Sequence, residues 1–147
     1  MRYKDFEGTL EELVEQKLQE IEEKEHVRIL HAVESGSRSW GFASPDSDYD
    51  VRFIYVRRPE DYLKLEPARD VIEWELDETL DINGWDLPKA LRQYHRSNST
   101  LFEWANSPVI YRTTEEWRQI HQAASVYFSE KAAMYHYYGT AKSNFLE

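Results

Sequence analysis

Residues 34–56 read ESGSRSWGFASPDSDYDVRFIYV and contain the most informative pattern of the chain. The apolar and β-branched residues at 27–33 predict a buried strand that runs into Gly36. The turn-forming sequence Ser-Pro-Asp-Ser at 44–47 then predicts a loop, and the apolar residues at 49–56 predict a second strand. The chain therefore places a glycine-containing loop between two strands.

Two aspartates open the second strand. Because side chains alternate along a strand, Asp48 and Asp50 lie on one face while Tyr49, Val51 and Phe53 lie on the other. Residues two apart on a strand are separated by roughly 6 to 7 Å, so both carboxylates can hold metal ions from the same side. Paired metal ions about 3.5 to 4 Å apart stabilise the attacking and leaving oxygens of an in-line phosphoryl displacement.

Gly36 and Ser37 end the first strand and point to the same chemistry. Glycine leaves room for a phosphate to approach the backbone, and Ser37 adds a hydroxyl donor. A short helix starting within 37–42 would add free N–H groups for an anion. The glycine-serine pair, ten further residues and an Asp-x-Asp pattern together predict a site for a metal-bound nucleoside triphosphate.

A calcium loop is the competing interpretation of the aspartates. Asp46, Asp48 and Asp50 match the spacing of the first three ligands in an EF-hand loop. The position that requires glycine holds Val51, however, and the position of the bidentate glutamate holds Arg57. We therefore reject the calcium loop.

The rest of the chain predicts one helix before this segment, then strands, then helices. Thr9 and Glu12 form a capping-box pair ahead of apolar residues spaced three and four apart, which predicts a helix at 9–25. Two further strands are predicted at 71–76 and 79–83, with a tight turn at Asp77-Glu78 between them. The later helices are predicted to begin at an Asp86 cap, a Thr100 and Glu103 capping box, Thr113 or Thr114, and Ser129.

Length and order of elements predict a single α+β domain. We expect one domain at 1–147, with an N-terminal helix at 9–25, a catalytic sheet at about 27–84 and a helical part at about 86–145. The sheet is expected to be small, mixed or antiparallel, with helices packed against it. Trp85, Trp104 and Trp117 are better explained by this packing than by stacking on bases.

Charge and composition narrow the class of protein. The formal net charge is −10, which argues against a broad DNA-binding surface and leaves room for a small anionic ligand held through metal ions. Cysteine is absent, and neither a secretion signal nor a long apolar run occurs, so we expect a cytoplasmic protein without a membrane segment. The five histidines show no metal-ligand spacing.

Gly36-Ser37 followed by Asp48-Tyr49-Asp50 resembles the signature of the DNA polymerase β-like nucleotidyltransferase superfamily. The closest resemblance is to the RNA-ligase-associated family of predicted nucleotidyltransferases, and it is carried by three blocks: GSRSWGFASPDSDYDVRFIYV at 36–56, LDINGWDLPKAL at 80–91 and SNSTLFEWANSPVIY at 97–111. It covers about residues 27–145 and implies the polymerase β-like fold. The chain departs from the family at Ser99, where members usually have proline, and it lacks their further helical region, so we expect a truncated or short form.

The resemblance implies a third acid on a neighbouring strand, with all three acids holding two Mg²⁺ or Mn²⁺ ions. Asp81 and Asp86 are the candidates. We choose Asp81 because it lies inside the predicted strand, whereas Asp86 follows Gly84 and is better explained as a helix cap.

The sequence-based hypothesis is a nucleotidyltransferase that moves a nucleoside monophosphate from an NTP to an acceptor hydroxyl and releases pyrophosphate. Asp48, Asp50 and Asp81 would hold the metal ions, and Asp81 would act as the base, or orient the water, that takes the proton of the acceptor hydroxyl. The nucleotide would be bound by Gly36, Ser37, Arg38 and Arg52.

Several alternatives stay open at this stage. Either arginine is equally explained as a partner of the carboxylates. RNA, a protein or a small molecule could be the acceptor, with RNA resting on the resemblance alone. A non-catalytic NTP or metal binder that acts through a partner is the alternative function. A structural domain with a coincidental motif would require the three acids to point apart.

Overall fold

Five strands form one mixed sheet in the computed structural model, which describes residues 6–36, 48–75 and 79–125. In chain order the described elements are α1 (Leu10–Glu25), β1 (Val27–Glu34), β2 (Tyr49–Arg57), α2 (Pro59–Tyr62), β3 (Val71–Glu75), β4 (Leu80–Asp86), α3 (Leu87–His95), α4 (Ser99–Asn106), β5 (Ile110–Thr113) and α5 (Glu115–Ala124). This mixture of helices and sheet is the α+β class that the sequence predicts.

The strand order is β3-β4-β2-β1-β5. β2 and β4 are parallel, and every other pair of neighbours is antiparallel. Because β1 runs against β2, the end of β1 lies at the same edge of the sheet as the starts of β2 and β4. Three chain segments that are far apart in sequence therefore meet at that edge.

Two apolar cores cover the two faces of the sheet. The first core packs α1 against strand residues that include Val51, Phe53 and Tyr55, and the second packs α3, α4 and α5 against residues that include Ile54. Trp104 and Trp117 are buried in the second core, so the prediction that they serve packing is confirmed. The alternation of β2 residues between the cores follows directly from the period of two along a strand.

Helix caps agree with the sequence in three cases and differ in one. Thr9 and Glu12 form the predicted capping box, Asp86 caps α3, and Thr114 caps α5. The predicted Thr100 and Glu103 capping box is wrong, because α4 begins two residues earlier and its cap is Asn98. The Asn98 side-chain oxygen accepts the backbone N–H groups of Thr100 and Leu101, at 2.9 and 3.2 Å.

The strands differ from the sequence-based expectation in length and number. β4 continues to Asp86, three residues beyond the predicted end, because Gly84 remains paired with β2 and β3. A Cβ atom at Gly84 would lie 2.2 Å from the Phe53 ring, so glycine allows that ring to fill the first core. β5 and α2 were not predicted, and β5 adds a strand from within the segment expected to be helical.

Some sequence-based predictions fall outside the described residues. These are the loop at 44–47, a helix starting within 37–42, the turn at 77–78 and the helix from Ser129. Within the described ranges, none of the helices combines the length and apolar character that a bilayer-spanning helix requires.

His31 is a titratable group inside the second core. It is 4% exposed and its ring stacks on Trp117 with 5.1 Å between centroids. Its Nε2 donates to the carbonyl oxygen of Trp104 at 3.3 Å, which leaves Nδ1 to accept from the Thr113 hydroxyl at 3.1 Å. Burial lowers the pKa of His31 from 6.5 to about 4, so the ring is neutral in the folded protein at pH 7.

We expect His31 to contribute to acid destabilisation. Between pH 6.5 and about 4 the unfolded chain binds a proton at His31 that the folded protein does not, so stability falls as the pH is lowered through this window. Once the pH is below both pKa values, a difference of this size lowers the free energy of unfolding by about 3 kcal/mol. His31→Gln should reduce the decrease in unfolding free energy measured by urea denaturation from pH 7 to pH 4. His95→Gln is the exposed control, and equal pH dependence of the two variants would contradict the prediction.

Candidate active site

Two of the predicted acids are brought side by side by the parallel pairing of β2 and β4. Asp50 and Asp81 are Cα partners in that pairing, so their side chains project from the same face of the sheet. Both carboxylates are 36% exposed, which leaves them accessible to a ligand. The pair lies at the sheet edge where the end of β1 and the starts of β2 and β4 meet.

Arg52 supplies the positive charge between these two acids. Its Nη2 lies 3.0 Å from Asp81 Oδ2 and 3.7 Å from Asp50 Oδ1. Its Nη1 donates to the backbone oxygens of Val51 and Asp81, at 2.9 and 3.3 Å. Carboxylates on adjacent strands repel each other unless a cation lies between them, so the guanidinium stabilises the pair.

Asn83 adds a polar contact on β4. Its side-chain nitrogen donates to both oxygens of Asp81, each at 3.2 Å. Asn83 is the Cα partner of Arg52, so both contacts to Asp81 come from the next residue pair on this face of the sheet. This residue was not predicted from the sequence, although its place two residues after Asp81 puts it on the same strand face.

Gly36 lies directly against Asp50. A Cβ atom at position 36 would stand 2.5 Å from Asp50 Oδ2, far inside van der Waals contact. Ser35 also donates its backbone N–H to the Asp50 carbonyl oxygen, at 2.9 Å. Glycine at this position therefore allows the end of β1 to approach the Asp50 carboxylate.

The other predicted site residues are placed differently. Asp48 directly precedes β2 and is exposed, and no set of three Asp, Glu or His side chains able to hold a metal ion occurs among residues 6–36, 48–75 and 79–125. Ser37 and Arg38 lie outside the described residues.

Asp86 is separated from the acid pair. It is buried, it is the Cα partner of Tyr55, and its Oδ1 accepts the backbone N–H of Lys89 at 2.9 Å as the cap of α3. The structure thus places Asp81, and not Asp86, beside Asp50.

A buried glutamate beneath the site was missed by sequence reasoning. Glu34 is 1% exposed, and its Oε2 accepts the backbone N–H groups of Asp50 at 2.8 Å and Gly36 at 3.3 Å. Its Oε1 accepts the hydroxyl of Tyr111 at 2.9 Å. Burial raises the pKa of the Glu34 carboxyl group, an effect that these hydrogen bonds partly offset. The available signal was an acidic residue at the end of a mostly apolar strand.

Comparison with known proteins gives one family. The protein-family model described as "RNA repair pathway DNA polymerase beta family" matches residues 10–147. The Bacillus subtilis (strain 168) protein named "Uncharacterized protein YcgL" is 47% identical over 131 residues, an alignment that covers 86% of this chain and 49% of that protein. The chain thus spans about half the length of this curated relative. No solved structure gives a significant match.

We expect Arg52→Met to destabilise the folded protein when divalent ions are absent. The substitution keeps a long side chain but leaves Asp50 and Asp81 without their shared cation. The free energy of unfolding, measured by urea denaturation in EDTA at pH 7, should fall by about 1 to 2 kcal/mol, between the values for exposed and buried ion pairs.

Arg58→Met is the matched control, since it removes an exposed arginine paired with Asp61 away from the acids. An equal loss in the two variants would show that Arg52 does not act as the counter-charge of the acid pair.

Proposed function

Because the chain belongs to the RNA repair pathway DNA polymerase beta family, we propose that it is a metal-dependent nucleotidyltransferase. It would transfer a nucleoside monophosphate from an NTP to an acceptor hydroxyl and release pyrophosphate within a polymerase β-like fold. The observation that carries this proposal is the in-register pair of Asp50 and Asp81 beside Gly36. It brings together two carboxylates, the ligand type that divalent ions prefer, and a backbone segment without a side chain that is proposed to face phosphate.

The donor set fits a hard divalent cation. Asp50 and Asp81 present carboxylate oxygens, the ligand type that Mg²⁺ and Mn²⁺ prefer, and they already hold the cationic guanidinium of Arg52 between them. Asp48 would join this pair in holding two ions, although the described residues do not group three acids in the structure itself. When bound, such ions neutralise phosphate charge and stabilise the attacking and leaving oxygens of an in-line displacement.

The remaining steps are assigned to residues of the chain. Asp81 would accept the proton of the acceptor hydroxyl as its oxygen forms a bond to the α-phosphorus. The bond from the α-phosphorus to the bridging oxygen of the β-phosphate breaks, and pyrophosphate leaves with that electron pair. Gly36 and Ser37 would hold the β- and γ-phosphates. Arg38 and Arg52 would contact triphosphate oxygens as charge-assisted donors.

The acidic composition is compatible with a nucleotide substrate. With a net charge of −10, the protein has no electrostatic attraction for an extended polyanion as a whole. A triphosphate accompanied by divalent ions brings its own neutralising charge, so the acids assist its binding.

The absence of cysteine agrees with a cytoplasmic location.

RNA is the acceptor to test first, since the family is described by an RNA repair pathway. A protein or a small molecule with a free hydroxyl is the next choice.

A non-catalytic nucleotide or metal binder is the second candidate function. It is favoured by one observation: the described residues bring two acids together and Arg52 already neutralises them. Such a protein would bind NTP with divalent ions but release no pyrophosphate.

We expect nucleotide transfer to depend on both paired acids. The purified chain should transfer α-phosphate label from an NTP to RNA with Mg²⁺ or Mn²⁺, and the same reaction should be run with protein and small-molecule acceptors. Asp50→Asn and Asp81→Asn should each lower the rate by at least about 100-fold, because losing a metal ligand costs more than the 10 to 100-fold typical of losing a hydrogen-bond partner of a ligand.

Asp70→Asn is the matched control, since Asp70 is 47% exposed and its backbone pairs with the far end of β4. Robust wild-type transfer that survives both substitutions in the acid pair would refute the assignment. Tight binding of NTP without pyrophosphate release would instead favour the binder.

A further inference from the structure

Glu34 bridges the two segments of the proposed site. One oxygen of its carboxylate accepts the N–H of Gly36 on the loop side and the N–H of Asp50 on β2. These two residues are 14 apart in the sequence, yet a Cβ atom at Gly36 would overlap the Asp50 carboxylate. Glu34 thus contacts both of the backbone segments that approach each other closely, the one at Gly36 and the one at Asp50.

The Glu34 carboxylate replaces a missing backbone acceptor. Where β1 ends, the Asp50 carbonyl oxygen still accepts the N–H of Ser35, as in an antiparallel ladder. The Asp50 N–H instead meets Glu34 Oε2 at 2.8 Å. A backbone N–H near the core needs an acceptor. The Glu34 side chain therefore allows the backbone pairing of β1 with β2 to end here without leaving the Asp50 N–H unbonded.

A third segment of the chain, around β5, also contacts Glu34. The Tyr111 hydroxyl donates to Oε1, and burial together with the nearby Glu34 charge raises the pKa of Tyr111, so this hydroxyl stays a donor. The Ser107 hydroxyl donates to the Glu34 carbonyl oxygen at 2.6 Å, and the Glu34 N–H donates to the Val109 carbonyl oxygen at 3.0 Å. The segment around β5 therefore fixes both the backbone and the carboxylate of Glu34.

The carboxylate acts from the face opposite to the acids. Glu34 is the Cα partner of Val51, which lies in the first core, whereas Asp50 and Asp81 project from the other face. Glu34 consequently touches backbone groups of the site without occupying the space above the acids. This placement suits a residue that orients the site and takes no part in binding the ligand.

We propose that Glu34 is a positioning residue that sets the distance between the Gly36 segment and the Asp50 carboxylate. The inference rests on the proposed function for its catalytic consequence, while the contact itself is independent of it. Before any ligand binds, Glu34 holds the Gly36 backbone, proposed to face phosphate, and Asp50, proposed to bind metal, in one arrangement. Preorganisation of this kind increases the rate of a reaction.

The test compares Glu34→Leu, which has no acceptor, with Glu34→Gln. The glutamine oxygen can accept the two N–H groups while its amide donates to the Tyr111 oxygen. Glu22→Leu is the matched control, since Glu22 Oε2 also accepts a β1 backbone N–H, that of Ile29 at 3.0 Å, at the far end of the strand. Tyr111→Phe is a milder variant that removes only the Oε1 contact.

The first readout needs neither nucleotide nor metal. Amide hydrogen exchange at Gly36 and Asp50, followed by NMR, should accelerate about tenfold in Glu34→Leu, the effect of one lost hydrogen bond. Glu34→Gln should stay near the wild type, and Glu22→Leu should change exchange at Ile29 instead. Unchanged exchange at Gly36 and Asp50 in Glu34→Leu and Tyr111→Phe would overturn the proposal.

The second readout separates positioning from general stability. Glu34→Leu should weaken Mn²⁺ binding about 10 to 100-fold and lower kcat for transfer about 100-fold with a smaller change in KM for the NTP, and Glu34→Gln should restore both. Equal losses in Glu22→Leu would overturn the positioning role. If the wild type binds no Mn²⁺ and transfers no nucleotide, the proposed function fails, and the amide exchange still decides whether Glu34 holds the two segments.

Discussion

The parallel pairing of β2 with β4 is the constraint on which the site depends. Its register places Asp50 directly beside Asp81, and a shift by one residue would send one of the two side chains to the opposite face. The same register aligns Arg52 with Asn83, so a cation and an amide lie next to the acids on the same face of the sheet. Apolar residues that alternate with these polar ones lie in the first core, and their burial holds the register.

This arrangement explains how an acidic protein can contain a site for an anion. Carboxylates collected at one sheet edge would ordinarily repel phosphate, and Arg52 offsets only part of that charge. Under the proposed function, divalent ions held by the same carboxylates would reverse the local field and attract a triphosphate. The family relationship and the geometry are thus consistent with one another.

Local signals predicted much of the fold and part of the site. The caps at Thr9, Asp86 and Thr114 were predictable because capping depends on a few adjacent residues. β1 and β2 were predictable because each is rich in apolar and β-branched residues and is followed or preceded by turn-forming residues. β5 was missed because it is a half-exposed edge strand of four residues with no clear alternation. The cap of α4 was misassigned because Asn98 competes with Thr100 for the same role.

The family, the α+β class and the acids that open β2 and lie within β4 can be read from the amino-acid sequence, because they follow from local pattern and motif. The position of Asp81 beside Asp50, the bridge that Arg52 forms between them and the contact of Gly36 with the Asp50 carboxylate depend on the folded structure. So does the burial of Glu34 with Tyr111 from the distant strand β5. These contacts join residues up to 77 positions apart, so they depend on strand order and register, which local sequence does not encode.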